Sequence, residues 1–253
     1  MLTFSLNSGS NGNSIYVEAG GVRLLFDAGL SGRRSADRMR VHARDIKKVD
    51  ALIISHDHAD HVGCAGVLQR LFRFPLYITE PTYRASKQAI GHVYDLRHFV
   101  SGETLRFKDV MVHTVRTPHD AVDGVAFVVE HAGRRLGIFT DLGHTFLELR
   151  AALETVDAAY VESNYDPHLL ETGPYHRELK QRIRGGQGHI SNDEAGGLVA
   201  GHGGRMQWMA LAHLSAENNH PDVAMRTARK ILGERMPIHL ASREEASGLL
   251  SVS

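Results

Sequence analysis

Short apolar segments separated by polar turns occupy the first part of the chain. Three of them have the length or the two-residue period of β-strands, at positions 3–6, 14–18 and 22–26. The turn-forming residues Asn11-Gly12-Asn13 and Gly20-Gly21 lie between them. The pattern therefore predicts an antiparallel meander at the start of the fold.

A fourth apolar segment, at positions 51–54, leads directly into a cluster of histidines. We predict that it is a strand. The apolar residues that come after the cluster, Val62, Ala65, Val67 and Leu68, have the spacing of a helix. The histidines are therefore predicted to lie on a loop between a strand and a helix.

The rest of the chain alternates between strand and helix patterns without a regular repeat. Four strands are expected to form a second sheet, at 76–78, 110–115, 125–130 and 136–140, and two more are predicted at 158–161 and 207–210. Helices are predicted near 81–90, 146–153, 175–183, 192–200 and 221–232. Positions 184–188 are a predicted flexible loop, but no linker divides the chain. We therefore expect one mixed α/β domain over residues 1–253.

The composition narrows the classes of function. The 29 Lys and Arg balance the 29 Asp and Glu, so no global positive field draws the chain to nucleic acid or to a membrane. Neither a membrane span nor a signal peptide is predicted. The single cysteine, Cys64, cannot form an internal disulfide, which fits a reducing compartment, and we expect a cytoplasmic location. No obligate protein partner is indicated.

Histidine is the compositional outlier with 17 copies, three of which lie in the segment His56-Asp57-His58-Ala59-Asp60-His61. A tight loop after a strand can turn His56 and His58 toward one metal ion. Asp60 and His61 offer the mixed oxygen and nitrogen set that zinc or manganese binds at a second position. Two neighbouring ions can activate water and stabilise both oxygens of a displacement. A solvated polar loop is the alternative interpretation, but such a loop rarely holds three histidines and two aspartates in six positions.

This segment resembles the H-x-H-x-D-H metal motif of the metallo-β-lactamase superfamily and matches it at every motif position. The resemblance implies an α/β fold, a four-layer αβ/βα sandwich with the metal cleft at one edge between two sheets. It also implies two divalent metal ions, with zinc expected in the isolated protein and manganese or iron as alternatives.

The resemblance implies further ligands at the ends of later strands. Three residues match the expected order, His119, Asp141 and His213. The implied ligand sets are His56, His58 and His119 for one ion and Asp60, His61 and His213 for the other, with Asp141 shared. Taken singly, each of the later residues could be an ordinary polar residue at a strand end. Their order along the chain favours the ligand interpretation.

Four stretches resemble the YycJ (WalJ) group of bacterial nucleases within this superfamily, at positions 8–14, 162–166, 188–192 and 213–219. This resemblance covers nearly the whole chain. It implies metal-dependent cleavage of phosphodiester bonds, chiefly exonucleolytic action on DNA. The same metal core also hydrolyses β-lactams, thioesters and small cyclic phosphodiesters in related proteins, and these substrates are the alternatives.

Comparison with the related RNase Z enzymes implies roles for two further residues. Glu162 would orient His189, which would act as general acid or contact the scissile phosphate. Separately, Asp60 is expected to accept the proton of the attacking water. Two alternatives stay open. His189 could simply precede a helix capped by Ser191, and Glu162 could be a buried partner of Asn13.

Supporting and substrate-contacting residues complete the expected site. Asp27 matches an early aspartate that supports the metal loop by hydrogen bonding, although a turn carboxylate is an equally good local interpretation, and Asn13 is expected to help it. The candidate phosphate or nucleic-acid contacts are Arg177, Lys180, Arg184 and Asn164. Arg182 adds a further positive charge to the same predicted helix. A solvated helix surface is the commoner explanation of such a run.

A protein that binds metal or nucleic acid without turnover is the rival from another functional class. The complete set of expected ligands argues against it. DNA or another phosphodiester is the expected substrate.

Overall fold

The computed structural model describes all 253 residues and contains fourteen strands in two seven-stranded sheets. In chain order the strands are β1 (Leu2–Asn7), β2 (Ser14–Ala19), β3 (Val22–Phe26), β4 (Ala51–Ile53), β5 (Leu76–Thr79), β6 (Leu96–Phe99), β7 (Thr104–Phe107), β8 (Val110–Arg116), β9 (Val125–His131), β10 (Arg134–Phe139), β11 (Ala158–Glu162), β12 (Trp208–Ala212), β13 (Ile238–Leu240) and β14 (Leu250–Ser251). The first sheet has the order β14-β1-β2-β3-β4-β5-β6 and the second has the order β13-β12-β11-β10-β9-β8-β7.

Each sheet is antiparallel on one side and parallel on the other. In the first sheet β1, β2 and β3 form the predicted antiparallel meander, and β3 to β6 are parallel. In the second sheet β7 to β10 are antiparallel, and β10 to β13 are parallel. The parallel strands of each sheet therefore end at a common edge, where loops can bring their residues together.

Nine α-helices connect the strands. They are α1 (Gly32–Val41), α2 (Ala59–Val62), α3 (Ala65–Phe72), α4 (Glu80–Ile90), α5 (Leu147–Leu153), α6 (Pro167–Thr172), α7 (Arg177–Arg184), α8 (Asn192–His202) and α9 (Pro221–Leu232). None of them has the length and the apolar character that crossing a membrane requires.

Three hydrophobic clusters show how the layers are stacked. The largest lies between the two sheets, where the rings of Phe26 and Phe127 are 5.0 Å apart. A second packs the first four helices against the first sheet through residues such as Met39. A third packs α5, α8 and α9 against the second sheet through residues such as Val199. The architecture is therefore the expected four-layer αβ/βα sandwich.

The structure corrects one part of the predicted strand arrangement. The strand predicted at 76–78 is β5, and it belongs to the first sheet, where it pairs in parallel with β4. The reason is the intervening helix α3, which carries the chain back over the sheet so that the next strand runs in the same direction. The prediction that it joins the second sheet is wrong.

Helix α1 and the short strands at the sheet edges have no counterpart in the prediction. Only Gly32, Ser35, Arg38 and Met39 of α1 are buried, so an apolar period was not visible in its sequence. The helix begins at Ser31, whose hydroxyl accepts a hydrogen bond from the Arg34 amide. Its stability rests on this cap and on packing rather than on an amphipathic pattern.

Residues just beyond the strand ends turn sharply toward the edge that the two sheets share. Asp27, Asp141 and His213 each have a left-handed backbone, with φ of 62°, 57° and 56°. Non-glycine residues adopt this conformation at a cost, and it is concentrated at functional sites in proteins. All three residues belong to the predicted metal site.

Candidate metal centre

Three imidazoles form the first cluster at this edge. His56, His58 and His119 offer nitrogen atoms that all lie within 4.8 Å of one another. The Nδ1 atom of His119 bonds the Gly188 carbonyl at 2.8 Å, so that its Nε2 lies 3.2 Å from the Nδ1 of His58. The Nε2 of His58 donates to the Asp120 carbonyl at 3.2 Å, which leaves Nδ1 for a ligand. Each ring is therefore oriented by a contact on the side away from the cluster.

A carboxylate and two imidazoles form the second cluster. The ligand atoms of Asp60, His61 and His213 again lie within 4.8 Å of one another. The Nδ1 of His61 donates to Asp27 Oδ2 at 2.8 Å, so its Nε2 faces Asp60. The Nε2 of His213 lies 3.3 Å from Asp60 Oδ2.

Asp141 lies between the two clusters. Its Oδ2 is 3.1 Å from His61 Nε2, and its Oδ1 is 3.6 Å from His213 Nε2 and 3.7 Å from His119 Nε2. This carboxylate therefore reaches ligand atoms of both clusters, and its role as a shared ligand, which the family resemblance implies, stays a prediction.

Unpaired buried atoms test whether this donor set fits a metal. Buried polar atoms in proteins are normally hydrogen-bonded, yet His56 Nε2 and Asp141 Oδ2 are buried without a hydrogen-bond partner. Both atoms belong to the clusters of converging ligand atoms. Imidazole nitrogens together with carboxylate oxygens suit divalent ions such as Zn²⁺ or Mn²⁺. The residues present therefore fit a divalent-metal site.

The charges of the clusters also favour a cation. Burial raises the pKa of Asp141, but His213 and His61 outweigh it and hold that pKa well below its ordinary range. Burial lowers the pKa of His213, whereas Asp141 and the hydrogen bonds with Asp60 and Glu162 raise it to about 10. Burial also lowers the pKa of His56, and the neighbouring His61 adds to the effect. The carboxylates thus create a potential that attracts a positive charge, whether a proton or a metal ion.

Asp27 and Asn13 contact the ligands from behind, where the sequence analysis placed them. Asp27 Oδ1 accepts a hydrogen bond from the Ser55 amide at 2.8 Å, and its Oδ2 holds His61. The Nδ2 of Asn13 lies 3.0 Å from Asp60 Oδ2. The backbone amide of Asn13 also donates to the Asp60 carbonyl at 2.7 Å. Gly29 packs against the same carbonyl, and a Cβ added to it would lie only 2.0 Å from the oxygen. Only glycine permits this close approach.

Glu162 and His189 form a hydrogen-bonded pair beside the clusters. His189 Nδ1 donates to Glu162 Oε1 at 2.6 Å, while Glu162 Oε2 accepts from the amides of Leu142 and Ile190. Burial raises the pKa of Glu162, but the charge and hydrogen bond of His189 and a hydrogen bond with His213 outweigh it and lower that pKa to about 2. The carboxylate is fully buried, whereas the His189 side chain is 20% exposed. A fixed anion therefore holds an imidazole that reaches the cleft.

Of the two alternative interpretations of Glu162 and His189, the structure contradicts the first and agrees with the second. Glu162 is not a partner of Asn13, whose side chain contacts Gly9, Asp60 and His61 instead. The capping box of Ser191 and Glu194 is present, so that α8 starts at Asn192, three residues after His189. His189 therefore both precedes a helix and faces the cleft.

The structure changes the expected substrate contacts. Asn164 is 3% exposed, and its Nδ2 donates to the His213 carbonyl at 2.9 Å, so its assignment as a nucleic-acid contact is wrong. The side chain positions a candidate ligand instead. Arg177, Lys180 and Arg184 line an open depression of about 540 Å³ on the surface of α7, and none of the candidate ligands takes part in its lining.

The sequence pattern indicates no role for Asp120 and only a general positive charge for Arg182. Asp120 Oδ1 lies 3.4 Å from His119 Nε2 and 3.6 Å from His58 Nε2. Its Oδ2 accepts a hydrogen bond from Arg182 Nε at 2.5 Å. The position of Asp120 next to His119 was the only available signal in the sequence. The contact with Arg182 depends on tertiary structure.

Comparison with known proteins identifies the family. A model of the metallo-beta-lactamase superfamily matches residues 8–202, which include both clusters except His213. The chain belongs to the metallo-β-lactamase superfamily. Within it, the chain is 31% identical over 233 residues to exodeoxyribonuclease YycJ of Bacillus anthracis, covering 91% of this chain and 88% of YycJ. It is 34% identical over 227 residues to exodeoxyribonuclease WalJ of Streptococcus pneumoniae, covering 88% of this chain and 84% of WalJ.

These relatives place the chain in the YycJ and WalJ group of the superfamily, as its sequence motifs indicated. The crystal structure of YhfI from Bacillus subtilis, a metallo-β-lactamase-fold protein, superposes with a TM-score of 0.77 at 16% identity and covers 99% of both chains. At that identity the likeness shows the fold alone. Family membership and the donor set make this chain a metal-dependent hydrolase.

Proposed function

We propose that this metal-dependent hydrolase is a nuclease that cleaves phosphodiester bonds in DNA, with exonuclease action of the kind named for YycJ and WalJ. The observation that carries the proposal is the pair of Glu162 and His189 beside the metal clusters. Hydrolysis of a phosphodiester releases an alkoxide that needs a proton, and a carboxylate-held histidine supplies one near neutral pH.

The proposed centre holds two divalent ions. The ligand sets are His56, His58 and His119 for one ion and Asp60, His61 and His213 for the other, with Asp141 between them. Zinc is the proposed ion in the isolated protein, with manganese or iron as alternatives in the working enzyme. When bound, the ions supply activation of water and stabilisation of the charge on the phosphoryl oxygens.

The side chains around the centre then divide the proton transfers. His189 is fixed through Nδ1, so its Nε2 is the atom that delivers a proton to the leaving oxygen. Glu162 holds the ring orientation and stabilises the positive charge of the protonated imidazole. Asp60, whose side chain is 22% exposed, accepts the proton of the attacking water. Arg177, Lys180 and Arg184 are proposed as outer contacts for the phosphate backbone.

The substitution His189→Ala tests the carrying observation. The variant should retain its metal content and lose most activity on single-stranded DNA, by about 10²–10⁴-fold, the usual contribution of a general acid. Hydrolysis of bis(p-nitrophenyl) phosphate should fall much less, because p-nitrophenolate is a good leaving group that needs no proton. His113→Ala is the matched control, because His113 forms a similar pair with Glu130, at 3.1 Å, outside the site. Unchanged activity in His189→Ala would reject the catalytic role.

The substrate class is tested with the Mn²⁺- or Zn²⁺-loaded protein on 5′-labelled single- and double-stranded DNA, RNA and a chromogenic β-lactam. Progressive shortening of DNA that disappears in His58→Ala would support the nuclease. Efficient β-lactam hydrolysis without nucleic-acid cleavage would reject it and favour another substrate of the same metal core.

A further inference from the structure

Helix α7 is a surface helix whose C-terminal end is tied to the metal centre. None of its residues is buried. The loop that follows it is nevertheless held by the site, because Asp120 N donates to the Gln187 carbonyl at 2.9 Å and His119 contacts the Gly188 carbonyl at 2.8 Å. The last turn of α7 is therefore positioned by the same loop that carries a candidate ligand.

Arg182 projects from this turn toward the cleft. Its Nε donates to Asp120 Oδ2 at 2.5 Å, and this is the single hydrogen bond that the side chain makes. Both terminal nitrogens have no partner in the protein, and the side chain is 60% exposed. One carboxylate, that of Asp120, separates the guanidinium from His58 and His119.

The charge of Arg182 is distinctive at this site. Asp27, Asp60, Asp141 and Glu162 form ion pairs with histidines alone, whereas Asp120 also pairs with an arginine. A phosphodiester is an anion that must approach this group of carboxylates. Arginine presents a planar pair of donors that matches two phosphate oxygens. Because Nε is tethered, little side-chain freedom remains to be lost when the two terminal nitrogens bind.

We propose that Arg182 binds a phosphate group next to the scissile one and thereby favours polynucleotides over single phosphodiesters. The proposal rests on the nuclease function proposed above. A neighbouring phosphate fits better than the scissile one, because Asp120 stands between Arg182 and the ligands, whereas His189 already lies beside them. Asp120 thus positions both the Arg182 guanidinium and, through its carbonyl, the His58 ring.

Kinetics of Arg182→Gln on two substrates test this assignment. With a single-stranded DNA oligonucleotide the KM should rise about tenfold while kcat changes less than about twofold, because one phosphate contact is lost. With bis(p-nitrophenyl) phosphate, which has no second phosphate, both constants should stay close to those of the unchanged protein. Arg182→Lys keeps the charge without the planar donors and should recover only part of the affinity.

A binding measurement gives a readout that is independent of turnover. Chelator-treated protein is titrated into fluorescein-labelled single-stranded DNA at several salt concentrations, and the anisotropy is recorded. Arg182→Gln should lower the slope of log affinity against log salt by about 0.7, the value for one phosphate contact on a single strand. Arg229→Gln is the charge-matched control. Arg229 lies on α9 and pairs with Glu234 at 3.2 Å, and its replacement should leave DNA binding unchanged.

The outcomes separate the two proposals. Equal losses on the oligonucleotide and on bis(p-nitrophenyl) phosphate, or an unchanged oligonucleotide KM in an active nuclease, would overturn the role of Arg182 alone. Failure of the unchanged protein to cleave any nucleic acid would overturn the nuclease function and this assignment with it. Thermal unfolding and metal analysis of each variant establish that fold and metal content are intact.

Discussion

The two sheets supply the metal centre in different ways. After β4, the first sheet provides four candidate ligands within one six-residue segment, from His56 to His61. The second sheet provides single residues from separate strand ends, namely His119, Asp141 and His213. The first set is held together by local chain geometry, whereas the second exists only when β8, β10 and β12 lie in order in one sheet. We therefore expect the second set to be the more sensitive to changes in loop packing.

The largest effect should come from the residue that joins the two sets. Asp141→Asn keeps the size of the side chain but removes the charge that faces His61, His119 and His213. We expect loss of metal from both clusters and loss of activity. Elemental analysis and the nuclease assay measure these effects. If the variant kept two metals per chain, the two clusters would bind metal independently, and Asp141 would not join the ligand sets of the two sheets.

A smaller effect should come from loosening the loops of the second sheet. Gly143 has φ of +69°, and an added Cβ would lie 2.3 Å from the Pro118 carbonyl oxygen and 2.7 Å from that of Gly186. Gly143→Ala should therefore lower the free energy of unfolding by about 1–3 kcal/mol through overpacking, in addition to the cost of the backbone strain. It should also reduce activity, because the loop that carries His119 must move to make room for the added Cβ. Urea unfolding and kinetics measure both.

Gly133→Ala is the control for the backbone strain. Gly133 has a similar φ of +74°, but no atom lies within 4 Å of the added Cβ. This variant should lose only about 1–2 kcal/mol from the left-handed backbone and should keep its activity. Equal losses of stability and activity in the two variants would show that the close approach at Gly143 does not organise the site.

The last difference between the two sets is in their protonation. In chelator-treated protein, the pKa of His213 is raised to about 10, chiefly by Asp141 against the effect of burial, whereas burial lowers the pKa of His56. Because the pKa of His213 is higher in the folded than in the unfolded protein, its protonation stabilises the fold. This contribution to the free energy of unfolding is complete below about pH 6.5 and is lost as the pH rises toward 10. Metal binding at the second cluster must displace this proton, so its affinity should rise about tenfold per pH unit from pH 7 toward that pKa.

Nuclear magnetic resonance titration of labelled imidazoles tests this difference directly. His213 should remain protonated at pH 8, and His56 should become protonated only below the ordinary range of an imidazole. Titration of both rings together near pH 6.5 would contradict the prediction and would mean that the carboxylates do not distinguish the clusters.

Sequence patterns predicted the elements that depend on residues close together in the chain. The meander of β1 to β3 and the strand that leads into the histidines were visible as short apolar segments between turns. Helix α1 was not, because its sequence is mostly polar and charged and only four of its ten residues are buried. The sheet to which β5 belongs was assigned wrongly, because a strand pattern does not say which neighbour the strand will pair with.

The site shows the same division. The order of histidines and aspartates, and the family resemblance that it carries, were sufficient to predict two ligand sets that the structure brings within 4.8 Å. The sequence misled at Asn164, because burial beneath His213 is a property of the packed strands. It was silent on the contact between Asp120 and Arg182, which are 62 residues apart.

By itself, therefore, the sequence determined the contiguous metal segment, the order of the later ligands and the family. Tertiary structure decided which ring nitrogen each histidine presents and which arginine reaches the cleft. The physical reason is that ligand identity is a property of single residues, whereas orientation is set by hydrogen bonds from residues distant in the chain, such as Asp27, Gly188 and Asp120.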